Sequence, residues 1–215
     1  VSEAARPIII LGGGGHGTVV LAALRAMGSA VLGICDPALP EGGQGPSGTR
    51  VLGGDSVVFD YPVGEVLLAN GVGSIGNPRK RIAVYRKFRQ RGYCFITVTH
   101  PAAIVDATAT LGEGAQTMAG AVVQAETVIG ANAIINTSAS VDHHCRIGDH
   151  VHVAPGATLS GGVEVGEAAH IGTGASVIQD IRIGRGAVVG VGVAVLADVP
   201  DNTVIHPRAC PAWTG

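Results

Sequence analysis

From Ala103 onward the chain repeats in sixes. Written six to a row, residues 103–198 give sixteen rows, and the third column is Val, Ile or Leu in fifteen of them, Thr117 being the exception. The first column is small or β-branched, and the fourth is Gly, Asn or Asp in ten rows. Two inward positions flanking one outward position make a short strand, and the remainder of each row makes a corner. Columns one and three then face an interior and column two faces out. The fourth-column residue types tolerate left-handed backbone, so positive φ angles are expected in that column. Internal repetition sustained over so many rows means a solenoid of stacked coils.

Residues 6–98 have another rhythm. PIIILGG reads as a buried strand, GTVVLAALRAMG as a helix closed by Gly28, and SAVLGICD and GEVLLANG as further strands. PRKRIAVYRKFRQRG reads as a basic amphipathic helix with Pro78 near its start, YCFITVTH as a last strand, and residues 38–50 as an exposed loop. Strands alternating with helices predict a small parallel α/β sheet. The expected fold class is α/β plus β, with a Rossmann-like domain over 1–100 and a β-helix over 101–215.

Composition supports the second half of that reading. The chain holds 34 glycines and 3% aromatic residues. A narrow prism has room for Val, Ile, Ala and Thr but not for rings. A net charge of −2 gives no field that would draw nucleic acid or anionic lipid. No apolar run reaches membrane-span length. The apolar stretch near the start lacks a basic flank and is not read as a signal peptide. Cys35, Cys94, Cys145 and Cys210 lie far apart without a CxxC, which argues against zinc or a disulfide framework and for a reducing cytoplasm.

Two stretches carry chemistry. LGGGGHG contains G-x-G-x-x-G as Gly12, Gly14 and Gly17, with Asp36 nineteen residues past Gly17. That is formally a dinucleotide fingerprint. Bare amides at a helix N-terminus suit any nucleotide diphosphate equally, and the residues before the repeats make only half of a dinucleotide domain. The second stretch, SVDHHCRIGDHVHVAPG at 140–156, holds four histidines. If a coil is three rows, residue i lies beside i+18, roughly 4.8 Å away. His143 then stacks near Gly161, His144 near Glu126 and His152 near His170. His150 is expected to be solvated. Two imidazoles without a third ligand make a weak metal site. Cys145 falls in an inward column and reads as a small hydrophobe rather than a nucleophile.

GGGGHG opening an α/β domain, HPAAIVDATATLGEG at the junction and INTSASVDHHCRIGDHVHVAPGATLSG after it resemble, over nearly the whole chain, one family. These are the bacterial hexapeptide-repeat N-acetyltransferases of nucleotide-linked amino sugars, relatives of sialic acid O-acetyltransferases. The resemblance implies a left-handed β-helix with three hexads per coil, acetyl-CoA as cosubstrate, no metal, and a homotrimer. It implies His143 as general base with Asp142 before it; His144 stands where relatives often carry Glu or Asp, so Asp142 or Glu126 would have to tune the base. It places His152 and Gly161 against acetyl-CoA. Gly14, Gly15 and His16 would meet the diphosphate or sugar, and Asp36 the ribose or base. Asn77 and Arg81 would contact the ligand from their loop, with a solvated helix face as the other reading of Arg79, Lys80 and Arg81. Asn136, at a left-handed corner, would contact substrate or only shape the turn. The implied reaction is direct N-acetylation of a nucleotide-linked 4-amino-4,6-dideoxy sugar, GDP-perosamine or a UDP-linked one. An O-acetyltransferase, a non-catalytic nucleotide-binding scaffold and, more distantly, an NAD-binding dehydrogenase remain as alternatives. GVG at 190–192 and the closing VIHPRACPAWTG depart from the family pattern near the coenzyme.

Overall fold

The computed structural model describes residues 6–75 and 77–206. The expectation for the closing segment lies almost wholly outside the described residues. β1 (Ile8–Leu11), α1 (Gly15–Ala26), β2 (Val31–Cys35), β3 (Val51–Gly53), β4 (Leu67–Asn70) and α2 (Arg79–Arg89) form the first domain. Its sheet is parallel, in the order β3-β2-β1-β4. β1 is apolar throughout because both its faces are covered. Val20, Leu21 and Leu24 of α1 pack against Ile8, Ile10 and Ala69 on one face. Tyr85 and Phe88 of α2, with Tyr93 and Phe95, pack against Ile9, Leu11 and Leu68 on the other. Six of the chain's seven aromatic residues stand before residue 96, so the rings are spent on this wider core. The loop read over 38–50 holds no strand, but the edge strand β3 that follows it was not expected. One expectation needs correction: YCFITVTH contributes only one bridge to the sheet, Leu68 with Phe95, before Val98–Thr99 starts the solenoid.

The rest is a left-handed parallel β-helix of two-residue strands stacked in three sheets of seven, six and five. Register is i to i+18 in every pair but the last, where Val188 meets Val204 and the coil is shortened by two residues. The core is a ladder of Ala, Val, Ile and Leu with Cys145 among them. Each fully buried Val or Ile is worth about 1.5–3 kcal/mol, and stacking repeats that contribution in every coil.

The corners overturn one expectation. Positive φ falls in the sixth column, at Gly114, Glu126, Asn132, His144, His150, Gly156, Gly162 and their successors, and not in the fourth. Asn136 accordingly does not occupy a left-handed corner. The fourth-column glycines answer a different demand. A Cβ on Gly130 would lie 2.5 Å from the backbone nitrogen of Asp149, and one on Gly148 2.7 Å from that of Glu167. One corner of the prism carries Gly112, Gly130, Gly148, Gly166 and Gly184 in successive coils because adjacent turns touch there.

The three faces differ outside. One shows Thr110, Val128, Arg146, Glu164 and Arg182. The next shows Ile104, Val122, Ser140, Thr158, Ser176 and Ala194, without a charge. The third shows Gln116, Ile134, His152 and His170, all buried. Column two does point out of the helix, but on this face it points into the first domain.

Candidate active site

The carboxyl ends of β1 and β4 diverge at the point where strand order reverses, which is where open α/β sheets bind ligands. Here a pocket of about 680 Å³ opens, lined by Gly12, Gly14, Gly15, His16, Asp36 and Gly71–Gly73 from the sheet side and by Asn136, Thr137, His152 and Pro155 from the β-helix. Gly12 has φ 99°, and Gly17 touches the Gly12 carbonyl so closely that no side chain fits between them. α1 begins without a side-chain cap and without an acidic residue in its first turn. Its leading N–H groups and dipole therefore face the pocket unopposed, an arrangement suited to phosphate. Asp36 holds the loop: Oδ2 accepts from Gly13 N at 2.7 Å and Oδ1 from Ala38 N at 2.9 Å.

Beneath the pocket lies a chain of directed hydrogen bonds joining the two domains. Gln116 Nε2 donates to the Asn70 carbonyl at 2.9 Å, which turns Oε1 toward His16 Nε2 at 2.8 Å. His16 therefore carries its proton on Nε2. Asn70 Nδ2 donates to Asn132 Oδ1, and Asn132 Nδ2 donates to His150 Nδ1 at 3.0 Å. Asn136 Oδ1 accepts from Thr137 N, so its amide nitrogen donates to His152 Nε2 at 3.0 Å. His152 Nδ1 then donates to Ser74 Oγ, also 3.0 Å. With both nitrogens engaged, His152 has none for a metal. Its ring meets the edge of His170 at 5.0 Å, and His170 Nδ1 is buried without a partner among the described residues.

Arg81 pins this network. It is fully buried, Nη1 donating to the carbonyls of Asn70 and Val72 and Nε to that of Asn132. It meets neither solvent nor the ligand pocket, contrary to both readings of the sequence. Burial pulls its guanidinium down to about 9, so it stays charged at neutral pH. Burial, reinforced by the Arg81 charge, lowers His16 to about 4. Burial lowers His152 to about 3, with His170, His16 and Arg81 adding to the effect. His150 and His170 are lowered too, chiefly by burial. The histidines of this face are thus neutral donors and acceptors. The expectation of a solvated His150 fails because Tyr85 of α2 covers it, ring edge to ring, at 5.5 Å.

His143 is elsewhere. It stands at the corner between the uncharged and charged faces, in a notch of about 420 Å³ with His144, Gly161, Gly162, Gln179 and Asp180. Its ring lies on Gly161 as the coil spacing predicts; a Cβ there would come within 2.7 Å of Nε2 and closer still to Cε1. Asp142 Oδ1 accepts from the backbone N of His143 at 2.8 Å and does not address the imidazole. Cys145, inward and buried, donates to the Ser160 carbonyl, and burial raises its thiol to about 11. That is no nucleophile.

Of the residues singled out in the sequence, Gly14, Gly15, His16, Asp36, Asn136 and His152 come together, and His143 comes together with Gly161; His152, expected with Gly161 against acetyl-CoA, lines the sheet-side pocket instead. Asn77 does neither. It accepts from Arg79 N at 3.0 Å and lines a separate hollow with His170 and Asn202. Gln116, Ser74, Gln179 and Asp180 were missed. The i+18 rule that pairs His152 with His170 reaches Gln116 two coils back, and it reaches Gln179 and Asp180 two coils on from His143 and His144.

Comparison with known proteins supplies the remaining facts. Residues 7–88 match the PglD N-terminal domain and residues 126–161 the bacterial transferase hexapeptide repeats. PerB from Caulobacter crescentus, solved with CoA and GDP-perosamine, is 38% identical; the match covers 96% of this chain and 97% of that one, with TM-score 0.84. The chain belongs to the hexapeptide-repeat acetyltransferases with a PglD-type N-terminal domain. A second member of the family, the acetyltransferase domain of PglB from Neisseria gonorrhoeae, was solved with acetyl coenzyme A. It is 32% identical over 95% of this chain and 98% of that one, with TM-score 0.88. A variant of the Caulobacter perosamine N-acetyltransferase with one histidine replaced by asparagine, also holding CoA and GDP-perosamine, matches at 37% identity over 96% of both chains, with TM-score 0.84. Comparison with curated sequences gives no significant match.

Proposed function

We propose that the protein acetylates the amino group of a nucleotide-linked 4-amino-4,6-dideoxy sugar, using acetyl-CoA, with His143 as general base. The observation that carries this reading is an open imidazole seated on a bare glycine, in a chain that also holds an uncapped helix N-terminus over a pocket large enough for a sugar nucleotide. The complexes of PerB and the PglB domain support the two substrates. The amine attacks the thioester carbonyl and the new C–N bond forms. His143 Nε2 takes the proton the nitrogen loses, the C–S bond breaks, and the imidazolium returns the proton to the departing thiolate. Gly162 N–H is committed to the His143 carbonyl. We assign the oxyanion to the neighbouring Gly161 amide, which lies against the His143 ring.

The pocket opens at one corner of the prism and His143 stands at the next. Thr137 and His143 are six residues apart, up to roughly 20 Å of extended chain, whereas proton transfer needs about 3 Å. Between them runs the uncharged face. We propose that three copies pack through it, so that one copy's His143 serves its neighbour's pocket. The test of function is thiol release from acetyl-CoA with GDP- and UDP-linked 4-amino sugars, the wild type beside His143→Asn. Release with one amine, lost in the folded variant, fixes reaction, nucleotide and base together. Equal rates in both proteins remove His143. Release only with hydroxyl analogues converts the reading to O-acetylation.

A further inference from the structure

His144 follows the base directly, and the Asp142 carboxylate is taken up by the backbone N–H of His143. The corner nonetheless contains a carboxylate aligned with the base, one residue further out. His144 Nε2 lies 3.1 Å from Glu126 Oε2, and His144 Nδ1 lies 2.9 Å from His143 Nδ1. Glu126 and His144 occupy the same column in successive coils, both with left-handed backbone, at φ 56° and 60°. Their side chains therefore leave the corner in parallel. The next position in that column is Gly162, which keeps the notch open, and Asp180 stands beyond it.

With His144 neutral, only one proton arrangement satisfies every contact. A carboxylate can only accept, so His144 carries its proton on Nε2. Its Nδ1 is then a lone pair, so His143 must donate from Nδ1. That leaves the His143 lone pair on Nε2, the nitrogen beside Gly161. We infer that Glu126 and His144 form a relay, carboxylate to imidazole to imidazole across two coils, that holds His143 in its base-competent tautomer and orientation. This rests on His143 being the base. Glu126 and His144 are positioning residues: neither lies against the reacting atoms. Their side chains are 66% and 61% exposed, so water screens the charge itself. Orientation and tautomer, which screening does not erase, are what the relay contributes. Asp142 and Asp180 are the other carboxylates at this corner.

The test uses the full-length protein and the same thiol assay. Glu126→Ala, which removes the acceptor, and His144→Leu should each lower kcat about tenfold, the lower end of what losing the outer partner of a working histidine costs, with KM for both substrates unchanged. His144→Asn places an amide oxygen where Nδ1 was and should restore most of kcat. In that background Glu126→Ala should have no further effect, because the link from Glu126 to His143 is already cut. Equal losses from Glu126→Ala in both backgrounds would show that Glu126 acts independently and would overturn the relay. So would a wild-type rate in Glu126→Ala while His143→Asn is inactive, an outcome that leaves the base standing. Activity in His143→Asn removes the base itself. Thermal melts of each variant separate these outcomes from unfolding.

Discussion

Two pairs of histidines in this chain have nearly the same geometry and opposite situations. His143 and His144 meet edge to face at 5.0 Å and 86°; His152 and His170 meet at 5.0 Å and 82°. The first pair stands at an open corner beside bare glycine, with a carboxylate behind it. The second lies under the α/β domain, with both nitrogens of His152 engaged and the Arg81 charge nearby. An imidazole that must accept a proton during turnover needs access and a free lone pair. One that shapes a binding pocket needs to stay neutral and fixed. The sequence places His143, His144 and His152 in one histidine-rich segment, with His170 one coil further on. What separates them is which prism face the first domain covers.

The largest expected effect tests what fixes the covered pair. Arg81→Met removes three hydrogen bonds, leaving the carbonyls of Val72 and Asn132 without a side-chain donor and that of Asn70 with Gln116 alone, and should cost about 3 kcal/mol in denaturant unfolding, roughly 1 per lost bond. Stability equal to wild type would show that the domains are held by apolar packing alone. Gly161→Ala tests the open pair. The new methyl displaces the His143 ring and should lower kcat about 100-fold, the cost of misplacing a reacting group by roughly 1 Å, while the melting temperature changes little. Undiminished kcat would mean the ring does not work from that position. Acid should act on the histidines beneath the first domain, His16 and His152. A histidine depressed in the folded state is neutral there but takes up a proton once unfolded. Its contribution is complete above about pH 6.5 and is lost as pH falls toward about 4 for His16 and about 3 for His152. Between pH 7 and 5, His152 alone should remove about 2 kcal/mol, and His152→Asn should flatten that slope. An unchanged slope in the variant would place the acid sensitivity elsewhere.

The solenoid was legible because its period is rigid. Valine in the third column of successive rows can mean little else, and i+18 arithmetic placed His143 on Gly161 and His152 against His170. The same arithmetic could not say that one face is roofed, because docking of a domain leaves no mark on periodicity. His150 was therefore expected in solvent. Arg81 was misread for a related reason: in RKR the three basic residues look alike, and only the position of α2 over Asn132 buries the third. The fourth-column glycines were seen correctly but explained wrongly, since composition cannot distinguish a glycine needed for positive φ from one needed because the next coil touches it.

The most direct measurement is a steady-state comparison of His143→Asn with His152→Asn, varying nucleotide sugar and acetyl-CoA separately. Chemistry at the open corner and binding under the roof predict that His143→Asn lowers kcat by about 10²–10⁴, the range for loss of a general base, with KM for the nucleotide sugar preserved. They predict that His152→Asn raises KM for the nucleotide sugar and spares kcat. The reverse pattern, with kcat lost at His152 and retained at His143, would contradict the assignment of roles to the two pairs.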